Sequence, residues 1–138
     1  MIKKKATVIL LSVFMIISTL SFSPITVKAT GTSGWQQNDT TWSYLVDGTK
    51  AINWIKSNDK WYYLKSDGDM ATGWELISGK WYYLNTNGDM AIGWKKLGTN
   101  WYYLKPNGDM AIGWIKTGAT WYYLNTNGNM AVNATIGG

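Results

Sequence analysis

Short aromatic segments recur along the chain, and each one alternates between two faces. In Trp101-Tyr102-Tyr103-Leu104, a strand puts Trp101 and Tyr103 on one face and Tyr102 and Leu104 on the other. The segment Met90-Ala91-Ile92-Gly93-Trp94 alternates in the same way, with Met90, Ile92 and Trp94 on one face. Gly, Asn, Ser, Thr and Lys separate the two kinds of segment, which is typical of hairpin turns. The pattern therefore predicts paired strands, near 72–76 and 81–84 in one representative unit.

A second turn signal follows the second strand of every unit. Asn-Gly or Asp-Gly stands at 47–48, 67–68, 87–88, 107–108 and 127–128. These dipeptides favour tight turns because both residues tolerate a positive φ. Pro106 falls in one of these connections, where its missing N–H costs nothing.

The units form a tandem array. Trp-Tyr-Tyr-Leu occurs at 61–64, 81–84, 101–104 and 121–124, a pitch of 20 residues, and a degenerate copy stands at 42–45. A further tryptophan precedes each copy by seven residues, so five units occupy residues 34–132. One such hairpin is marginal in water, but stacked hairpins bury each other's aromatic faces. We therefore predict an all-β solenoid of stacked β-hairpins without a single compact core.

The N-terminal segment has the layout of a secretory signal peptide. Lys3, Lys4 and Lys5 precede an apolar stretch over 8–20, and Val27-Lys28-Ala29 offers small residues for cleavage. An uncleaved anchor is the alternative, since the uncharged run over 6–27 is about long enough to span a bilayer. We predict a signal peptide over 1–29, a linker over 30–33, repeats over 34–132, a tail over 133–138, and a secreted protein held at the cell wall or cell surface.

Three missing residue types narrow the function. The chain contains no histidine, no cysteine and no arginine, so the usual general base, thiolate chemistry and guanidinium clamps for phosphate are excluded. We predict no enzyme activity, no metal site and no cofactor. After removal of 1–29, nine lysines face eight acidic residues, and their even spread argues against a nucleic-acid partner. Asp69, Asp89 and Asp109 recur at one place in the unit, as turn residues do.

The excess of aromatic residues points to binding. Ten Trp and nine Tyr include two tryptophans in every unit, although Leu, Ile and Val would fill a core without an indole N–H that needs an acceptor. Flat aromatic faces bind two ligand classes without acids or metals. One is a quaternary ammonium group in a cage of about three rings, and the other is the apolar face of a sugar. The first tyrosines, at 62, 82, 102 and 122, are candidates for packing alone, as are the repeated leucines.

The unit Met-Ala-Ile-Gly-Trp, a short turn, Trp-Tyr-Tyr-Leu, then Asn-Thr-Asn-Gly-Asp resembles the choline-binding, or cell-wall-binding, repeat of Gram-positive surface proteins. The resemblance covers residues 34–132. It implies stacked hairpins in a left-handed superhelix that hold the choline of teichoic acids, using two Trp of one repeat and one Tyr of the next. The implied partner is a choline-bearing cell-wall polymer or another wall glycan.

Carried over by position, the resemblance implies four sites, for which we choose the second tyrosine of each pair because it shares a face with the tryptophans. The sites are Trp35, Trp42 and Tyr63; Trp54, Trp61 and Tyr83; Trp74, Trp81 and Tyr103; and Trp94, Trp101 and Tyr123. Met70, Met90 and Met110 are candidates for the pocket floor, since methionine is a polarizable filler.

Some features depart from the family pattern or leave alternatives open. Ser43 replaces a tyrosine and Asn53 replaces a glycine, which predicts weaker flanking sites. Trp114 and Trp121 lack a following repeat, so their half-site is open or is completed by another chain in a dimer. Related repeats in glucan-binding domains and clostridial toxins bind carbohydrate, which is the alternative ligand class.

Overall fold

A computed structural model describes residues 31–132, and every regular element in that range is a β-strand. The predicted signal peptide and the tail over 133–138 lie outside the described residues. The strands are β1 (Gly34–Asn38), β2 (Thr41–Val46), β3 (Thr49–Lys50), β4 (Asn53–Ser57), β5 (Lys60–Leu64), β6 (Gly73–Ile77), β7 (Lys80–Leu84), β8 (Gly93–Leu97), β9 (Asn100–Leu104), β10 (Gly113–Thr117) and β11 (Thr120–Leu124). The all-β hairpin architecture predicted from the sequence is confirmed.

Each repeat forms its own antiparallel hairpin. The pairs are β1–β2, β4–β5, β6–β7, β8–β9 and β10–β11, and within residues 31–132 only the first sheet has a third strand, β3. In the second hairpin, Trp54 lies opposite Tyr63, Ile55 opposite Tyr62 and Lys56 opposite Trp61. The same register recurs in every hairpin. Each hairpin thus has a tryptophan face, which carries both tryptophans and the second tyrosine, and a leucine face, which carries the first tyrosine and the leucine.

Two kinds of turn join the strands. Within the second and third hairpins, both central turn residues have positive φ, at Asn58 and Asp59 and at Ser78 and Gly79, as two-residue hairpin turns require. After the second strand, the amide of Gly88 donates to the carbonyl of Asn85 over 2.8 Å, which closes a four-residue turn. In that turn only the glycine has positive φ, whereas the sequence had suggested this for both members of Asn-Gly.

The segment over 90–94 is not one strand, contrary to the sequence prediction. Met90 forms an isolated bridge with Leu84 of the preceding strand, and β8 begins only at Gly93. Gly93 has φ near +76°, which interrupts the extended run. As a result Ile92 does not share a face with Trp94 but lies 61% exposed at the surface.

The core is a thin column that runs through the stack. Its buried apolar side chains are the leucines that end the second strands of the last four hairpins, accompanied by small alanines; they are Leu64, Leu84, Leu104, Leu124, Ala71, Ala91 and Ala111. The leucines were correctly expected to pack. Hairpins contact one another through rings: Trp54 meets Tyr82 of the next hairpin edge to face, with centroids 5.0 Å apart. The tryptophan face of one hairpin therefore packs on the leucine face of the next.

Candidate functional site

Four aromatic cavities repeat along the stack, one at each junction between consecutive hairpins. Each contains both tryptophans of one hairpin, the first tyrosine of the next and the methionine that follows that next hairpin. Their volumes are about 450, 380, 320 and 290 Å³ in chain order. They contain Trp35, Trp42, Tyr62 and Met70; Trp54, Trp61, Tyr82 and Met90; Trp74, Trp81, Tyr102 and Met110; and Trp94, Trp101, Tyr122 and Met130.

The tyrosine in each cavity differs from the one chosen from the sequence. Tyr63, Tyr83, Tyr103 and Tyr123 are not among the lining residues of the cavities to which we assigned them. Tyr63 lies beside Trp54 of its own hairpin, with ring centroids 5.2 Å apart. Tyr62 instead reaches back to Trp35 of the preceding hairpin, at 4.8 Å. The reason is directional: a ring that shares a face with its own tryptophans points toward the following hairpin, so only the opposite face can close the cavity behind it. The first tyrosines, which were candidates for packing alone, therefore also line the cavities.

One methionine lines each cavity, and its backbone amide is hydrogen-bonded to a tryptophan of that cavity. The amide of Met70 donates to the carbonyl of Trp42 over 2.7 Å, and Met90, Met110 and Met130 repeat this bond to Trp61, Trp81 and Trp101. The bond ties each methionine to the second tryptophan of the same cavity. Met70, Met90 and Met110 line cavities, as expected from the sequence, and Met130 does so as well. The fixed 20-residue pitch was the signal that could have added Met130.

Each of the first three cavities has a further wall, which the sequence did not reveal. The turn that follows the next hairpin but one along the chain supplies it. Thr86 and Asn87 line the cavity of Trp35 and Trp42, although two hairpins separate these residues along the chain. Pro106 and Asn107, then Thr126 and Asn127, hold the same place in the next two cavities. The fourth cavity has no such wall among the described residues. A polar amide thus borders an otherwise aromatic site.

The lining chemistry suits an organic cation or an apolar ring. Trp74 and Trp81 stand at 90° to each other with centroids 6.4 Å apart, and Trp94 and Trp101 do so at 85°. The second tryptophan of each pair is 39–44% exposed, so its ring is accessible from solvent. No charged side chain is among the lining residues of the four cavities. Attraction to a cation would therefore come from the negative faces of the rings.

The recurring aspartates support the turns and not the cavities. Asp89 accepts a hydrogen bond from the side-chain amide of Asn85 at 3.0 Å and forms an ion pair with Lys60 at 3.1 Å. These contacts fix the turn that carries Thr86 and Asn87. Burial raises the pKa of Asp89, but the bonds from Asn85 and Lys60 outweigh it and leave the pKa below its ordinary value. The hydrogen bond from Lys50 lowers the pKa of Asp69. At the last turn, Asn129 keeps the corresponding bond to Asn125, at 2.9 Å.

The two residues that depart from the repeat pattern do not line any of the four cavities. Ser43 is fully buried on the leucine face of the first hairpin, away from the cavity of Trp35 and Trp42. Asn53 has φ near +66°, the conformation that glycine has at 73, 93 and 113. Asparagine tolerates this region better than most residues. The weaker flanking sites expected from these two residues stay a prediction.

The last hairpin presents an open half-site. Trp114 and Trp121 are 56% and 59% exposed, more than any other tryptophan of residues 31–132. The ammonium of Lys116 lies 5.7 Å from the ring centroid of Trp121. Whether another chain completes this half-site stays a prediction.

No group of three potential metal ligands occurs within residues 31–132. Over the same range, no helix has the length and apolar character needed to cross a membrane.

A sequence profile described as "Choline-binding repeat" matches residues 51–93 and 91–134, more than half of the chain. The chain belongs to the choline-binding repeat family. This result confirms the resemblance on which the four aromatic sites were first assigned. No curated protein matches the chain.

Solved structures with the same fold come from choline-binding repeat proteins. CbpJ from Streptococcus pneumoniae TIGR4 is 50% identical over 72% of this chain and 36% of its own, with a TM-score of 0.70. Choline binding protein F from Streptococcus pneumoniae, solved in the presence of a peptidoglycan analogue, is 46% identical over 84% of this chain and 39% of its own, with a TM-score of 0.69. A multimodular pneumococcal cell wall endolysin from phage Cp-1, complexed with choline, is 42% identical over 75% and 32%, with a TM-score of 0.51. The chain thus spans about a third of the length of these proteins.

Proposed function

We propose that this chain is a secreted, non-catalytic cell-wall-binding module that holds choline groups of a wall polymer, such as teichoic-acid phosphocholine, in the cavities between consecutive hairpins. The observation that carries the proposal is the fourfold recurrence of one lining: two tryptophans, a tyrosine and a methionine, without a charged side chain. A trimethylammonium group needs such a cage because it cannot donate a strong hydrogen bond.

Relatives support the same ligand. The phage Cp-1 endolysin named above was solved with choline bound, and its repeats share 42% of aligned residues with this chain. Choline binding protein F, which was solved in the presence of a peptidoglycan analogue, supports a cell-wall partner and a place at the cell surface.

A single cage should bind choline weakly, whereas the array of four cages should bind a choline-bearing polymer more tightly. Well-placed cation–π contacts contribute on the order of 0.5–2 kcal/mol each, which corresponds to roughly millimolar binding for one cage. Four cages on one polymer gain avidity without any new contact.

The deciding experiment compares ligands on the secreted chain. Choline should quench tryptophan fluorescence and raise the melting temperature, because a ligand that binds only the folded state stabilises it. The protein should also be retained on a choline or tertiary-amine resin and should elute with free choline. Carbohydrate remains the alternative class, favoured by the amides of Asn87, Asn107 and Asn127 at the cavity walls. If glucans and not choline raise the melting temperature, the module is a carbohydrate binder.

A further inference from the structure

The four cavities have almost the same rings but different residues beside them. The strand residue opposite the second tryptophan is Gln37 for Trp42, Lys56 for Trp61, Leu76 for Trp81 and Lys96 for Trp101. This position lies on the tryptophan face, directly across from a ring of the cage. It is therefore a variable side chain beside one ring of each cage, although none of these four residues lines a cavity.

The charge at this position differs most between the third and fourth cavities. Lys96 places its ammonium 5.8 Å from the ring centroid of Trp101, and it has no carboxylate partner within residues 31–132. At the third cavity, Leu76 is apolar and 57% exposed. At the second, Lys56 is already paired with Asp59 of the hairpin turn, at 3.2 Å. Lys96 is thus the one lysine at this position that stands beside a cavity without a counter-charge in the described part of the chain.

We infer that the residue opposite the second tryptophan sets whether a cage prefers a zwitterionic phosphocholine ester or a bare choline cation, and that Lys96 gives the fourth cavity a phosphate preference that Leu76 does not give the third. This inference rests on the proposed function and adds the selectivity of individual cages.

The preference follows from the balance of charges just outside the rings. Lys96 does not line the cavity, so its ammonium does not replace the ligand's trimethylammonium group. In a choline ester only two carbons and one oxygen separate that nitrogen from phosphorus, so the phosphate of a caged headgroup lies at the cavity rim. A lysine there attracts the phosphate, whereas it repels a ligand that carries only the positive charge. Two unit charges about 6 Å apart in water change an equilibrium constant about threefold, and salt weakens the effect.

The test resolves the cages by their indole N–H signals in nitrogen–proton correlation spectra, assigned with single Trp→Phe variants. Choline chloride and glycerophosphocholine are titrated into the full repeat array, and each site gives the ratio of the two association constants. At low salt, the ratio in favour of glycerophosphocholine should be about threefold higher at Trp101 than at Trp81. The difference should disappear near 1 M salt, where charges are screened beyond about 3 Å.

Reciprocal variants assign the effect to this position. Lys96→Leu should bring the ratio at Trp101 down to that at Trp81, and Leu76→Lys should raise the ratio at Trp81. Lys96→Gln keeps a polar side chain and should act like Lys96→Leu, which guards against misfolding of one variant. Lys116→Leu removes the matching lysine from the last hairpin and should leave the ratio at Trp101 unchanged.

Equal ratios at Trp81 and Trp101 in the natural chain, or an unaltered ratio at Trp101 in both Lys96 variants, would overturn the inference while choline binding itself stands. If neither ligand shifts any indole signal, the proposed function is wrong and the inference falls with it.

Discussion

The backbone amide of Met90, which follows the third hairpin, donates a 2.8 Å hydrogen bond to the carbonyl of Trp61 in the second hairpin. This bond crosses the junction between two hairpins that belong to separate sheets. It therefore couples the stacking of the hairpins to the shape of one aromatic cavity, because Met90 and Trp61 both line it. Changes that disturb the junction should alter both stability and binding, and changes confined to one side should separate them.

The first tyrosine of each pair should close a cage. Tyr82→Leu removes the ring that faces Trp54 and should weaken choline binding in that cavity by about 0.5–2 kcal/mol, the contribution of one cation–π contact. Tyr83→Leu is the matched control, since Tyr83 packs on Trp74 of its own hairpin at 5.2 Å. Choline titration followed at the Trp61 indole signal measures both. A larger loss with Tyr83→Leu would restore our original choice of tyrosine.

The buried leucine column should carry most of the folding free energy. Leu104 is fully buried, so Leu104→Ala should lower the free energy of unfolding by about 2–5 kcal/mol through a lost contact and a cavity. Leu76→Ala serves as the control: this side chain is 57% exposed and its loss should stay within about 0.5 kcal/mol. Urea unfolding followed by circular dichroism gives both values. Similar losses in the two variants would mean that the column is not the core.

Gly88 should be needed for the cavity as well as for the turn. A Cβ at Gly88 would collide with the sulfur of Met70, so Gly88→Ala should displace Met70 and weaken choline binding beside Trp35 and Trp42. Gly93→Ala imposes a similar positive φ but meets nothing within 4 Å, so it should cost only about 1–2 kcal/mol of stability from backbone strain. Comparison of thermal melts with choline titrations separates strain from displacement. Equal binding in both variants would remove Met70 from the site.

Acid should weaken the stack through its aspartates. Hydrogen bonds and ion pairs hold the pKa values of Asp69 and Asp89 below the ordinary 3.8. A lowered pKa stabilises the fold above the unfolded-state value, and that stability is lost as pH falls through the folded-state value. The melting temperature should therefore decrease when the pH is lowered below about 4. Asp89→Asn should flatten this dependence and cost about 0.5–1 kcal/mol at neutral pH, because its ion pair with Lys60 is partly exposed.

A double-mutant cycle provides the control for the acid response. Lys60→Gln alone should lower neutral-pH stability as Asp89→Asn does, and the two changes together should cost less than their sum. Parallel pH profiles for the natural chain and Asp89→Asn would show that this carboxylate does not contribute to the acid response.

Secretion should remove the N-terminal segment. The basic start, the apolar stretch and Val27-Lys28-Ala29 predict that the mature protein begins at Thr30. N-terminal sequencing of protein from the culture medium measures this directly. Full-length material retained in the membrane would support the uncleaved anchor instead.

The hairpins could be predicted because the signal for them is local. Alternation around Trp101 and Tyr103 and the turn residues between strands lie within a few positions of each other. The cage tyrosine could not be chosen in this way. The alternation distinguishes the faces of Tyr62 and Tyr63, but only the stacking direction decides which face meets the preceding hairpin. The wall at Asn87 was harder still, since the superhelical arrangement alone brings it beside Trp35.

The wall supplied by a third hairpin has a consequence for how such arrays grow and shrink. A unit copied into the middle of the array finds neighbours on both sides and adds one complete compartment. Removal of the last unit, by contrast, would take Tyr122 and Met130 from the fourth compartment and Thr126 and Asn127 from the third. Internal duplication is therefore additive, whereas loss of the last unit removes one compartment and the outer wall of another. Loss of the first unit would remove only Trp35 and Trp42, and so only the first compartment.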